Sequence, residues 1–375
     1  MPHVLAALAP PLRLRTLDSH ERKVTWLELF FDLSFVAAVA QVASPLAADY
    51  TPAGVFRFML LFLLIWWAWS GQTAFATRFD PDDGIQRLLT LAQMFTVAAM
   101  AANATGALDS RDSAGFAAAY AVLRLTLVAQ YRRAAAVEAS RPLTRAYSRG
   151  IAAAALLWLA SALIPAPARF ALWAVAMAID LATPVIAEHH AVLAPPDKAH
   201  LPERFGLFTL ILLGEALVSI MRGMEHQATW TPAAAAAAFG SIAAVFGFWW
   251  LYFDVAKGPA ERPTRTRAEV LKFQAWSHAH VLLYLGLVVL GVGLEHLVGH
   301  GGALAHVNQA VLLAGAAAAA GASVAVIRAT RAAERPGRPA AHAMPSTTAN
   351  PSHRHTTSGA RPAERIIASS VASGK

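Results

Sequence analysis

The sequence predicts an all-α, polytopic transmembrane helical bundle of about ten helices. Of its 375 residues, 57% are hydrophobic and 14% are charged, whereas a soluble domain usually carries about 25% charged residues. The mean hydropathy is +0.46. Apolar stretches near the roughly 20 residues that cross a bilayer recur along the whole chain. They lie at about 26–44, 54–77, 85–106, 113–131, 149–164, 168–187, 204–222, 233–254, 273–298 and 303–327, and the fifth is short. The absence of cysteine excludes disulfides, thiolate metal sites and cysteine nucleophiles.

The first stretch opens as TWLELFFDLSFVAAVAQVA and divides the chain into a cytoplasmic segment 1–25 and a helical domain 26–327. No cleavable signal peptide precedes it, so this helix would direct insertion. Lys and Arg set the orientation. With the N-terminus in the cytoplasm, 26 of the 31 basic residues fall on the cytoplasmic side and three on the other, with Arg57 and Arg124 left inside helices. Ten helices with both termini cytoplasmic, in a bacterial plasma membrane, satisfy this alternation.

A parallel internal repeat is also expected, with helices 1–4 echoed by 7–10. The seventh stretch, PERFGLFTLILLGEALVSI, opens with an acid like the first. FGFWWLYFD in the eighth answers LLIWWAWSG in the second. Parallel repeats of this kind occur in transporters. The segment 328–375 carries eight Lys/Arg and two acids and is rich in Pro, Ser and Thr. Its composition predicts a basic, disordered tail. Most of the formal charge of +8 therefore sits there, and no nucleic-acid partner is expected.

Charged groups inside the apolar stretches are the candidates for function, because each is costly in hydrocarbon. Glu28 and Asp32 are four residues apart and share a helix face. By helix rise, Glu28 lies about 3 Å and Asp32 about 9 Å below Trp26. The plainer reading has both answered by Arg22 and Lys23 at the membrane surface; the sharper one turns Asp32 towards a cavity or an arginine. Arg124 is near the middle of the fourth helix and must find an anion, with Asp180 and Glu215 as its expected partners. Gly214 and Pro184 beside those acids would allow local unwinding. His278 and His280 are two apart and point different ways, so one inward histidine is expected and no metal site. Glu295 lies near the far end of that helix. The string EHHAVLAPPDKAH, with Glu188, His189, His190 and His200, reads as a loop without metal-ligand spacing. No phosphate-binding loop, HExxH or GxSxG motif is present. No cofactor is expected, and transport would be passive or driven by an ion gradient.

KVTWLELFFDLSFVAAVAQVA resembles the N-terminal signature of the bacterial low temperature requirement A family of multi-pass membrane proteins. HLPERFGLFTLILLGEALVSI resembles that family's second signature, and FQAWSHAHVLLYLGLVVLGVGLEHL its later histidine-bearing helix. The likeness runs from about residue 20 to 300. It puts Trp26, Glu28, Phe31, Asp32, Glu203, Arg204, Gly214, Glu215, His280 and Glu295 on motif positions. The resemblance implies further C-terminal helices, which this chain lacks after about Thr330, as a natural tail or a truncated or frameshifted end would. The family name implies a growth phenotype in the cold and no particular reaction.

Three functions compete. A secondary transporter or channel for a small solute, proton or cation would bring at least two of Asp32, Arg124, Asp180 and Glu215 to one midplane cavity. An intramembrane lipid-acting enzyme would set Glu28, Asp32 and His280 around an opening to lipid. A non-catalytic membrane protein of cold or envelope stress would saturate its charges as packing pairs in a dry core.

Overall fold

A computed structural model describes residues 12–14, 23–80, 83–109, 111–187, 190, 194, 196–227, 229–262, 266–304 and 307–331. The fold is all-α. Its helices are α1 (Trp26–Ala43), α2 (Pro52–Arg78), α3 (Gly84–Ala102), α4 (Ser113–Ala134), α5 (Arg141–Ala162), α6 (Ala168–Ile186), α7 (His200–Glu225), α8 (Pro232–Trp250), α9 (Arg267–Gly299) and α10 (Val307–Ala329). A two-residue strand, β1 (Arg13–Leu14), pairs antiparallel with β2 (Phe79–Asp80) at the end of α2. The tail expected from 328 onward falls outside the described residues beyond Arg331, as do Arg22, Glu188 and His189.

Local chemistry fixes the helix starts. Thr25 opens α1 through a capping box: its hydroxyl accepts from the Glu28 amide, while the Glu28 carboxylate accepts from the Thr25 amide. Thr266 and Glu269 repeat the device at α9. Thr51, Asp83 and Thr231 cap α2, α3 and α8.

Nine of the described helices are long and apolar enough to cross a membrane, and α5 is the exception. The expected fifth span at 149–164 is corrected to Arg141–Ala162. Its first turns carry Arg141, Arg145 and Arg149, which lower its hydropathy. It still traverses the bundle. At one end Arg141 donates to the Ala135 carbonyl at the end of α4. At the other, Arg169 of α6 bonds both the Ser161 carbonyl of α5 and Ser113 at the start of α4.

Contacts between helix ends sort the bundle into two faces. The starts of α1 and α7 meet through Glu28 and His200. Lys198 reaches Glu261 in the α8–α9 connection, whose Arg262 donates to the Ile327 carbonyl near the end of α10. The first and last helix termini of the bundle thus share one face. On the opposite face Gln227, after α7, donates to the Val298 carbonyl of α9.

Inside a bilayer, helices associate by close packing rather than by escape from water. α7, α9 and α10 are joined this way: a Cβ at Gly286 would lie 2.8 Å from the Ala316 carbonyl oxygen, and one at Gly223 2.3 Å from that of Glu295. Neighbour relations within α7–α10 match those within α1–α4: the first helix packs on the second and third, and the third on the fourth. The expected unwinding is absent. α7 runs unbroken through Gly214, and α6 continues past Pro184 to Ile186. The break in regular winding comes instead at a π turn, Leu251–Val255, at the end of α8.

Candidate functional site

The charges sort into three separate sites. The first lies where α1, α2 and α7 meet, near the face that holds the start of α1. Asp32 is fully buried, and Arg204 of α7 is 1% exposed. Arg204 Nε donates to Asp32 Oδ2 at 3.0 Å, and its Nη2 donates to Oδ1 at 2.5 Å. Trp69 Nε1 donates to Oδ1 at 2.7 Å. The side-on guanidinium fork suits a carboxylate, and an ion pair this enclosed needs every such bond to offset desolvation. Glu28, one turn earlier on the same face, reaches Arg204 Nη1 at 3.4 Å and His200 Nε2 at 3.2 Å.

Asp32 is therefore answered from a helix 172 positions away, by Arg204, and among the described residues Lys23 beside Trp26 makes no ion pair with it. His200 opens α7 rather than lying in a loop, and it stands four residues before Arg204, on the same face. Beside the pair lies a cavity of about 390 Å³, lined by Glu28, Phe31, Gln72, Gln86, Thr90 and Arg204. Trp26 is 87% exposed at its mouth, as a membrane-interface anchor would be. Glu203 is half-buried in the first turn of α7, where a carboxylate meets the positive end of the helix.

Aromatic rings close this site from the bundle centre. Trp69 packs on Phe208 with ring centroids 4.3 Å apart, and Phe205 packs on Trp276 at 5.0 Å and His280 at 4.9 Å. His280 is buried: its Nδ1 faces the Trp276 carbonyl at 2.7 Å and its Nε2 the Tyr252 hydroxyl at 2.9 Å. With the proton on Nδ1, the ring donates to the carbonyl and accepts from the tyrosine, so the neutral form is satisfied. His278 faces outward, its Nδ1 against the Gln274 carbonyl. Arg262 stacks over the Trp276 ring at 4.8 Å, and its burial pushes the guanidinium pKa down to about 10. The described residues contain no cluster of three or more metal-ligating side chains.

The second site sits at the opposite ends of α7 and α9. Arg222 Nη2 donates to Glu215 Oε1 at 3.2 Å, and its Nε to Glu295 Oε2 at 3.4 Å. All three residues line a cavity of about 210 Å³ that also touches the end of α1. Glu215 is thus not the partner of Arg124. The second site is separate from the first by helix rise, because Glu215 is eleven residues, about 16 Å, beyond Arg204 along α7. At Gly214 a Cβ would meet nothing within 4 Å, so that position is open.

The third site is the pair between α4 and α6. Arg124 Nη2 donates to Asp180 Oδ1 at 2.6 Å, with side chains 3% and 0% exposed. Asp32, Arg124, Asp180 and Glu215 therefore do not converge on one cavity; Arg124 and Asp180 alone share one, of about 100 Å³. Sequence reading also passed over Trp69, Arg222, Tyr252 and three buried glutamines, Gln72, Gln93 and Gln130. The glutamines had a legible signal, since an amide inside an apolar helix must find partners.

The family model for the bacterial low temperature requirement A protein (LtrA) matches residues 23–356, further than the likeness over about residues 20 to 300 and past Thr330. An uncharacterized protein of Rhizobium meliloti is 25% identical over 303 residues, covering 76% of this chain and 72% of that protein. No solved structure matches the chain. The motif residues meet in space as well as in sequence, with Glu28 and Asp32 of the first signature against Arg204 of the second, and the family match spans the whole helical domain: the chain belongs to the bacterial low temperature requirement A family of multi-pass membrane proteins.

Proposed function

We propose that the protein is a secondary transporter or channel that moves a small solute, proton or cation across the bacterial cytoplasmic membrane. One observation carries the reading: α1 and α7 line charged cavities at both faces, with a closed aromatic layer between. Glu28 and Arg204 line one cavity, and Glu215, Arg222 and Glu295 the other. Trp69, Phe205, Phe208 and Tyr284 fill the space between α2, α7 and α9. Access from alternate sides around a shared barrier is how secondary transporters work. The Lys/Arg asymmetry supports a cytoplasmic Glu28 face. With no nucleotide-binding motif in the chain, the driving force would be a gradient.

A second reading is favoured by one observation. The Asp32 carboxylate is saturated by Arg204 and Trp69, as in a packing pair of a non-catalytic protein of cold or envelope stress. Flux of protons and small ions into liposomes separates the two. Transport predicts flux in the wild-type protein and its loss in Glu28→Gln and Glu215→Gln, with membrane insertion intact. Wild-type liposomes no leakier than empty ones would sink the transport reading.

A further inference from the structure

Between α2, α3, α4 and α6, deep polar groups outnumber their partners. Gln93 Nε2 donates to Gln72 Oε1 at 2.9 Å and approaches Gln130 Oε1 at 3.4 Å. Among the described residues, Gln93 Oε1, Gln130 Nε2, Thr73 Oγ1, the Tyr120 hydroxyl, Arg124 Nε and Nη1, and Asp180 Oδ2 have no hydrogen-bond partner. Each of these side chains is more than nine-tenths buried. A protein group left unpaired in an apolar interior costs about 1–3 kcal/mol, and more when charged. Seven such atoms among these four helices call for a ligand that both donates and accepts.

The space and the chemistry select that ligand. Arg124 and Asp180 line a cavity of about 100 Å³, together with Ser70 and Thr183. That space is large enough to hold several waters. The unpaired atoms are amide, hydroxyl, guanidinium and carboxylate groups, and the one charge pair present is already neutralised. This mixture fits neither a bare cation nor an anion. The layer also has an entrance, because Gln72 and Gln86 line the open cavity beside Glu28 and Arg204.

We infer that a file of bound water enters from the Glu28–Arg204 cavity, passes Gln72, Gln93 and Gln130, and ends at the Arg124–Asp180 pair. It supplies the missing hydrogen bonds. It also connects that pair to the cavity beside Glu28 and Arg204. The inference does not rest on the transport reading, since the unpaired groups require hydration whether or not a solute crosses.

X-ray radiolytic hydroxyl-radical labelling in heavy-oxygen water tests it on the full chain in lipid nanodiscs, because a buried ring is labelled fast only when water lies beside it. Tyr120 and Tyr284 are equally buried, but the Tyr284 hydroxyl donates to the Phe205 carbonyl at 2.9 Å in the closed aromatic layer. Tyr120 should take up label about fivefold or more faster than Tyr284, as a tyrosine beside bound water would. Equal rates would overturn the hydrated site. Gln93→Leu should then bring Tyr120 down to the Tyr284 rate; labelling unchanged in that variant would overturn the route. Should Gln93→Leu fail to fold, the wild-type comparison still decides the site. Neither readout depends on flux, so failure here and failure of transport are separate results.

Discussion

Arg204 and Asp32 stand 172 positions apart, yet two guanidinium nitrogens grip one carboxylate at 3.0 and 2.5 Å. The pair joins the two signature helices of the family at a point where both side chains are almost fully buried. Removing Asp32 leaves the buried Arg204 with Glu28 alone, at 3.4 Å, in a low-dielectric interior. Asp32→Leu is expected to cost about 3–5 kcal/mol, and the double variant Asp32→Leu/Arg204→Met to recover most of that loss. Denaturant unfolding in detergent micelles measures both. Additive losses in the double variant would show that the pair is not coupled.

Trp69 contributes a separate, smaller term. Trp69→Phe keeps a ring against Phe208 but removes the indole donor to Asp32. A hydrogen bond to a charged group is worth about 1.5–3 kcal/mol, and the variant should lose about that much. The same loss in an Asp32→Leu background would show that the indole acts through packing alone.

The Arg222 cluster tests burial as the controlling variable. Its guanidinium is 44% exposed, against 1% for Arg204, although both touch two carboxylates. Exposed pairs are worth about 0–1 kcal/mol. Arg222→Ala should therefore cost less than about 1 kcal/mol, while Arg204→Ala costs about 3–5 kcal/mol. Thermal unfolding of the two variants in the same lipid compares them directly.

Close backbone packing gives a prediction free of charge. Any side chain at Gly223 runs into the Glu295 carbonyl on α9. Gly223→Val should cost about 1–3 kcal/mol by overpacking, whereas Gly214→Val, facing open space, should be nearly neutral. Equal losses would place the effect in helix propensity instead of in the α7–α9 contact.

How much of this was readable before folding depends on the distance over which each interaction acts. The capping box at Thr25 and the shared face of Glu28 and Asp32 follow from spacings of three and four residues, which helix geometry fixes. The fifth helix was misplaced because its arginines break the apolar signal, and its boundary comes from contacts with α4 and α6. Arg124 announced a need for an anion, but two acids were available, and only the packing of α4 on α6 selected Asp180 over Glu215. His200 carried no signal at all until α7 brought it to Glu28.

The sequence by itself determined the all-α membrane class, the succession of the ten long helices among the described residues, the family, and which side chains could not rest in hydrocarbon alone. Tertiary structure decided the partner of each: Asp32 with Arg204, Arg124 with Asp180, Glu215 with Arg222 and Glu295, and the glutamines with one another. The physical reason is that composition and helical period act within about four residues. An ion pair is chosen by which helices lie side by side, and that is settled by packing contacts between segments far apart in the chain.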